Sequence, residues 1–147
     1  MRKFINVSMF FIISVLVCFG ISWAANSETE IVDKAKSYLE KGEYDQSISL
    51  LNSLIKNNPK NFEAFNYRGF DYYRKDEYKQ AVEDFTEAIS LNPKYTDAYY
   101  NRAITHYFHH YYQEAWVDLQ KAQELGKVCD EKFVEAFKKA AGVDKKP

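Results

Sequence analysis

The stretch FNYRGFDYYRKDEYKQAVEDFTEAISLNP, residues 65–93, decides the fold. Its apolar and small residues recur at three- and four-residue steps: Phe65, Gly69 and Tyr72, then Tyr78, Ala81, Val82, Phe85 and Ala88. That is the spacing of helices that each bury one face. Asn92-Pro93 ends the second of them, because the residue before a proline is pushed out of the helical region. The stretch reads as a helix pair. Where Gly69 faces Ala81 the two helices can approach closely, and the large Phe85 and Tyr72 fill the volume beside the contact.

Outward from this stretch the chain repeats itself with a period of 34. The offset aligns Ile31, Phe65 and Tyr99; Ala35, Gly69 and Ala103; Tyr38, Tyr72 and His106; Tyr44, Tyr78 and Tyr112. It also aligns Ser47, Ala81 and Ala115; Leu51, Phe85 and Leu119; and Leu54, Ala88 and Ala122, with Pro59 and Pro93 closing the first two units. The units run over residues 28–61, 62–95 and 96–129. Ser27-Glu28-Thr29-Glu30 reads as a capping box that opens the first helix near Glu28. Asn58-Pro59 stops the second helix, and Gly126 stops the sixth. From Asp130 to Ala141, Phe133, Val134, Ala136 and Phe137 lie on one side and Glu131, Lys132, Glu135, Lys138 and Lys139 on the other. A repeat stack exposes an apolar end, so this last helix, 130–141, reads as its cap. Residues 142–147 read as a disordered tail.

The pattern Phe65-x-x-Arg68-Gly69-x-x-Tyr72, then Ala81-x-x-x-Phe85-x-x-Ala88, then Pro93, resembles the tetratricopeptide repeat, a 34-residue helix-turn-helix unit. The resemblance covers Glu28 to about Leu125. It implies an all-α fold, an α-solenoid of three repeats plus a C-terminal capping helix. Several positions depart from the family pattern. Ile31, Phe65 and Tyr99 stand where a Trp is common; Lys34, Arg68 and Arg102 replace an apolar residue; His106 replaces a core Tyr; and Gly126 with Lys127 stands in place of a third Pro.

The N-terminus has a different character. Met1-Arg2-Lys3 is followed by an apolar run from Phe4 to Ile21, and Ser22-Trp23-Ala24 places small residues where an export peptidase reads them. Residues 1–24 therefore read as a signal peptide cleaved after Ala24, with an uncleaved anchor helix as the alternative. Val17 before Cys18 does not fit a lipoprotein site. The expected location is periplasmic or extracellular. Losing Arg2 and Lys3 leaves 18 basic against 21 acidic side chains, a net charge of -3. No basic surplus exists to neutralise a phosphate backbone, so nucleic acid is not an expected partner, nor is a membrane beyond the N-terminal segment. The exported chain keeps one cysteine, Cys129, so no internal disulfide can form; it is expected buried or, alternatively, a handle for an intermolecular bond.

Aromatic residues make up 17% of the chain, and several are not demanded by the repeat. The resemblance implies that the first helix of each unit lines a concave wall. That wall then holds Val32, Asp33 and Lys36; Glu63, Asn66, Tyr67, Phe70, Tyr73 and Arg74; and Asp97, Tyr100, Asn101, Ile104, Tyr107 and Phe108. Tyrosine offers large area, little rotamer entropy to lose and a hydroxyl, which suits capture of a peptide, and Asn66 and Asn101 carry donors and acceptors for its backbone. The candidate groove is Asn66, Tyr67, Phe70, Tyr73, Arg74, Tyr100, Asn101, Ile104, Tyr107 and Phe108. Some family members clamp a terminal carboxylate with Lys, Asn and Arg. The matching places here hold Val32, Lys36, Tyr67, Asp97 and Asn101, so the clamp is rejected. His106 and His110 share the i, i+4 spacing of a metal pair but lack a third ligand, and no metal is expected. No nucleophile elbow, phosphate loop or zinc motif is present, and Glu83, Asp84 and Glu87 read as a solvated face, so neither catalysis nor a cofactor is expected. The sequence points to an adaptor that binds a peptide segment of an envelope or secreted protein. The alternative is a structural component that self-associates.

Overall fold

A computed structural model describes residues 27–143; residues 1–26, which include the stretch read as a signal peptide, and residues 144–147 lie outside the described residues. Among the described residues there are seven helices and no strand. They are α1 over residues 27–40, α2 (Tyr44–Asn57), α3 (Phe62–Arg74), α4 (Tyr78–Leu91), α5 (Thr96–Phe108), α6 (Tyr112–Glu124) and α7 (Glu131–Ala141). None is long and apolar enough to cross a membrane. The helices pair as α1 with α2 through Val32, Ala35, Leu51 and Leu54, α3 with α4 and α5 with α6; each pair packs on the next, and α7 packs on α6.

Within each pair a small residue of the first helix faces a large one of the second. Ala35, Gly69 and Ala103 are fully buried or nearly so, as are Leu51, Phe85 and Leu119. The tightest approach is at Gly69: a methyl group there would lie 2.9 and 3.0 Å from two ring carbons of Phe85 and 3.1 Å from the Asp84 Cβ. Units then join through shared core. Ala64 of α3 belongs to the cluster of Val32, Ala35, Leu51 and Leu54, and Phe137 of α7 to that of Ala103, Ala115 and Leu119. Val32, expected on the open wall, is instead 2% exposed inside the first of these clusters.

The turn inside each pair is the same device repeated. Glu43, Glu77 and Tyr111 each donate a backbone N–H to a carbonyl five residues back, on Tyr38, Tyr72 and His106. Closing the helix this way puts the preceding residue in the left-handed region, at Gly42 (φ 76°), Asp76 (φ 60°) and His110 (φ 65°). At the other boundaries α2 stops with Asn58 as C-cap and α4 with Asn92, each just before its proline. Asn61 caps α3 through Ala64 N–H (2.9 Å), while its own amide and that of Asn58 donate to the Glu28 carboxylate of α1. Ser27, read as the residue before the first helix, is already helical. Asp130 caps α7 by accepting from the amides of Lys132 and Phe133. Gly142 and Val143, expected in a disordered tail, instead close α7: Gly142 is left-handed at φ 69° and both amides donate back, to the Lys139 and Lys138 carbonyls.

Two positions that look like departures in the sequence form a repeated polar joint. Arg68 grips Asp84 through Nε (2.7 Å) and an Nη (2.6 Å), and its other Nη reaches Asn52 of α2 at 2.6 Å. Arg102 does the same to Asp118 (2.7 and 2.8 Å) and reaches Thr86 of α4 at 2.9 Å. Asp84 is therefore not on a solvated face; it is 6% exposed and committed to this joint. Bidentate pairing fixes orientation as well as charge, so each arginine sets the rotation of two helices against its own.

Asp71 of α3 has no such partner. It is fully buried, neither carboxylate oxygen has a hydrogen bond of acceptable geometry, and Ser47 Oγ is buried and unsatisfied as well. Burial pushes the Asp71 carboxyl up from 3.8 to about 7, against weaker opposing effects of Ser47 and the Lys75 charge. The folded state thus holds its proton longer than the unfolded chain, and stability falls as pH rises from near 3.8 through about 7.

Gly69→Ala forces the Phe85 ring to move and is expected to cost roughly 1–3 kcal/mol, read as a lowered midpoint in thermal or urea unfolding. Asp71→Asn is expected to leave stability near pH 4 unchanged and to raise it at pH 8 by about 2–4 kcal/mol. Urea titrations of both chains across that range check this; parallel pH profiles would contradict it.

Candidate functional site

The inner wall is built by α1, α3 and α5, because the opposite faces of these helices are consumed by α2, α4 and α6. Its floor is a hydrogen-bonded chain. Asn101 Nδ2 donates to Asn66 Oδ1 (3.1 Å), and Asn66 Nδ2 donates to the Tyr95 hydroxyl (3.4 Å). Asn66 is 3% exposed, so both ends of its amide serve the joint between α3 and α5, and it is not free to hold a peptide backbone. Burial, then the neighbouring Tyr67, Glu63 and Asp97, hold the Tyr95 hydroxyl well above its usual range, and it stays neutral.

Above this floor is a pocket of about 210 Å³ lined by Leu39, Asn66, Tyr67, Phe70, Asp97 and Asn101. The structure thus brings together Asn66, Tyr67, Phe70 and Asn101 from the expected set. Lys36 lies over the Tyr67 ring, 4.9 Å from its centroid, and is paired with Asp33 at 3.2 Å. A terminal-carboxylate clamp needs cations here. Instead Val32 is buried, Tyr67 supplies a ring, and Asp97 places a carboxylate in the pocket wall, paired to Lys127 at 2.7 Å.

A second feature is a string of rings. Phe70 and Tyr73 are 5.8 Å apart, Tyr73 and Phe108 6.2 Å, and Phe108 is 57% exposed. This string joins α3 to α5 along the wall. Ile104 of α5 is half-buried.

Three expected wall residues are used elsewhere. Tyr107 stacks on Phe137 of the cap at 4.5 Å with its ring nearly parallel, and Tyr100 meets Phe133 at 5.8 Å under Lys127. Both are half-buried and pack against the core cluster beneath α7. Arg74 turns outward over the Tyr44 ring at 5.4 Å. Leu39 and Asp97 complete the pocket; Asp97 shares the wall's helix register, whereas Leu39 carried no signal distinguishing it from core.

The histidine pair does not converge. α5 ends at Phe108, so His110 lies beyond the helix in the left-handed region, with Nδ1 2.6 Å from the Tyr112 hydroxyl. His106 Nε2 lies 3.8 Å from Asp118 Oδ2 instead, and burial holds the imidazole below its usual pKa despite that carboxylate. Among the described residues no group of three or more His, Cys, Asp or Glu is placed to hold a metal ion. Cys129 is half-buried beside the cap, and burial raises its thiol above the usual range.

Tyr107→Ala is expected to lose roughly 2 kcal/mol or more, because it leaves a hole under the cap, whereas Phe108→Ala changes stability by less than about 0.5 kcal/mol. Thermal denaturation of the two variants separates the packing ring from the displayed one.

Comparison with known proteins agrees with this architecture. Residues 69–107 match the family profile described as TPR repeat, and residues 44–70 match one described as protein prenyltransferase alpha subunit repeat. No curated protein sequence matches the chain. Among solved structures it is similar to the first TPR of Spaghetti (RPAP3) bound to the HSP90 peptide SRMEEVD. The two are 24% identical with a TM-score of 0.73, over 78% of this chain and 93% of that one. It is also similar to the TPR2B domain in the pHsp70 complex of yeast Sti1, at 18% identity and a TM-score of 0.69, over 80% and 98%. The Sgt2 TPR domain from Aspergillus fumigatus gives 19% and 0.67, over 80% and 76%. At these identities the likeness is one of fold.

Proposed function

Because this chain has the fold of tetratricopeptide-repeat domains and residues 69–107 match the profile of that repeat, we propose that it is a non-catalytic interaction module whose inner wall binds a peptide segment of a partner protein. The observation that carries this reading is the ring string Phe70, Tyr73 and Phe108 beside the Tyr67 pocket, which the packing of the repeat does not require. Large rings with little rotamer entropy to lose are suited to such capture. Two of the similar structures are complexes, one with an HSP90 peptide and one with pHsp70. The ligand chemistry differs here, since Asp97 in the pocket wall opposes a terminal carboxylate. An internal, extended segment fits better than an acidic chain end.

The layout of residues 1–24 supports an exported adaptor, periplasmic or secreted, whose partner resides in the same compartment. Self-association is the alternative, and light scattering with and without reductant distinguishes it. The match to the prenyltransferase alpha subunit repeat covers α2 and part of α3.

Peptides selected on the protein by phage display test the reading. Tyr73→Ala with Phe108→Ala is expected to weaken them about tenfold or more, read at a temperature below the melting transition of both chains because Tyr73 also packs on Tyr78. Amidating the peptide's C-terminus is expected to change affinity by less than about threefold, because no clamp holds it. Unchanged affinity in the double variant would sink the inner-wall reading, and a large loss on amidation would restore the clamp.

A further inference from the structure

The outer side of the stack carries a larger pocket, about 450 Å³, where α4 meets the end of α5 and the α5–α6 turn. It is lined by Tyr78, Val82, His106, His109 and Tyr111, with Lys79 and Glu83 completing the lining. The 34-residue period supplies an internal control, because the same junction exists one unit earlier. There Tyr72 stands in place of His106, Asp45 in place of Lys79, Lys75 in place of His109 and Glu77 in place of Tyr111. Lys75 bridges that earlier junction, pairing with Asp45 at 2.7 Å and Glu77 at 3.1 Å. At the later junction every member of the bridge has changed. No ion pair spans it among the described residues, and rings take its place: Tyr78 to His109 at 5.5 Å, His109 to Tyr111 at 5.1 Å, His106 to Tyr111 at 6.0 Å.

The turn itself departs in the same direction. Units one and two carry Glu40-Lys41-Gly42-Glu43 and Arg74-Lys75-Asp76-Glu77, whereas unit three carries Phe108-His109-His110-Tyr111. All four of these rings are exposed, Phe108 by 57% and Tyr111 by 51%. The fold asks for none of them, since the earlier turns make the same backbone hydrogen bonds with charged residues. His110 even occupies the left-handed slot that glycine fills in unit one.

We propose that this pocket is a second binding site, which takes one aromatic side chain of a partner polypeptide. Its volume is in the range of ligand pockets, and its walls are mostly rings, which receive another ring edge-on or offset. The occupant is a polypeptide because the apolar surface does not end at the pocket. Tyr78 in the pocket lies 6.0 Å from Tyr73, which in turn meets Phe70 and Phe108 on the inner wall, so a chain lying in the groove can cross the turn and seat a ring on the far side. For that continuity alone the inference rests on the peptide-binding reading. Burial lowers the His106 pKa, which keeps the pocket's inner ring uncharged at neutral pH.

Nuclear magnetic resonance titration with N-acetyl-tryptophanamide tests the pocket directly, with N-acetyl-leucinamide as control. Saturable shifts are expected at Tyr78, His106, His109 and Tyr111, with the leucine probe about tenfold weaker or worse. His106→Tyr restores the residue of the other two units and is expected to weaken the tryptophan probe about tenfold without lowering the melting temperature. The triple change Lys79→Asp, His109→Lys and Tyr111→Glu, which rebuilds the earlier ion bridge, is expected to do the same. Tyr67→Ala on the inner wall should leave probe affinity within about twofold, so failure of the pocket and failure of the groove read out separately. Absence of saturable shifts, shifts confined to Tyr67 and Phe70, or unchanged affinity in both pocket variants would overturn the proposal.

Discussion

Everything else in the stack follows from how closely the two helices of a unit approach. Ala35, Gly69 and Ala103 carry little or no side chain at the crossing, and Leu51, Phe85 and Leu119 fill what remains, all fully buried or nearly so. At Gly69 the space left is less than one methyl group. Once that face of α1, α3 and α5 is spent on its partner helix, the opposite face is forced outward, and a neighbouring unit covers only its flanks. The inner wall is thus a by-product of close packing, and its chemistry is whatever the chain places on a surface the core does not use.

Polar groups then decide how rigidly that surface is held. The two arginine joints lock rotation between helices, and the amide chain from Asn101 through Asn66 to Tyr95 ties α3 to α5 beneath the pocket. Asp71 acts in the other sense: a buried, unpaired carboxylate between α2 and α3 weakens one seam relative to the rest. Its counterpart in the next unit avoids the difficulty. Thr105, at the same place one unit later, satisfies its hydroxyl on the Asn101 carbonyl.

The all-α stack was legible because period, small-against-large spacing and prolines agree, and each has a direct physical cause. The wall was legible only in part. Spacing says which face of α5 a residue occupies, but not what lands on that face, and nothing in α5 itself tells that α7 covers Tyr100 and Tyr107. Asn66 was misread for a related reason: its partners, Asn101 and Tyr95, come from another unit and a loop, and no local pattern links them. Asp84 is different, because a signal existed. Arg68 and Asp84 recur as Arg102 and Asp118 with the same separation, which marks a committed pair rather than a solvated face. The outer pocket leaves one trace in the sequence, the exchange of Tyr for His106, and no local pattern reports the volume between helices.

The arginine joints also give the array a direction of growth. Each arginine reaches back to the unit before it, Arg68 to Asn52 and Arg102 to Thr86, and those acceptors are themselves 34 residues apart. Unit one, the first in the stack, carries Lys34 and Leu50 where the later units carry arginine and aspartate. Gln120 is the next acceptor in the series, exposed on α6. A duplicated second or third unit inserted ahead of the cap would therefore bring its own arginine to Gln120 and its own carboxylate to hold it. A duplicate of the first unit would arrive with neither, so only the later repeats carry the means to extend the stack.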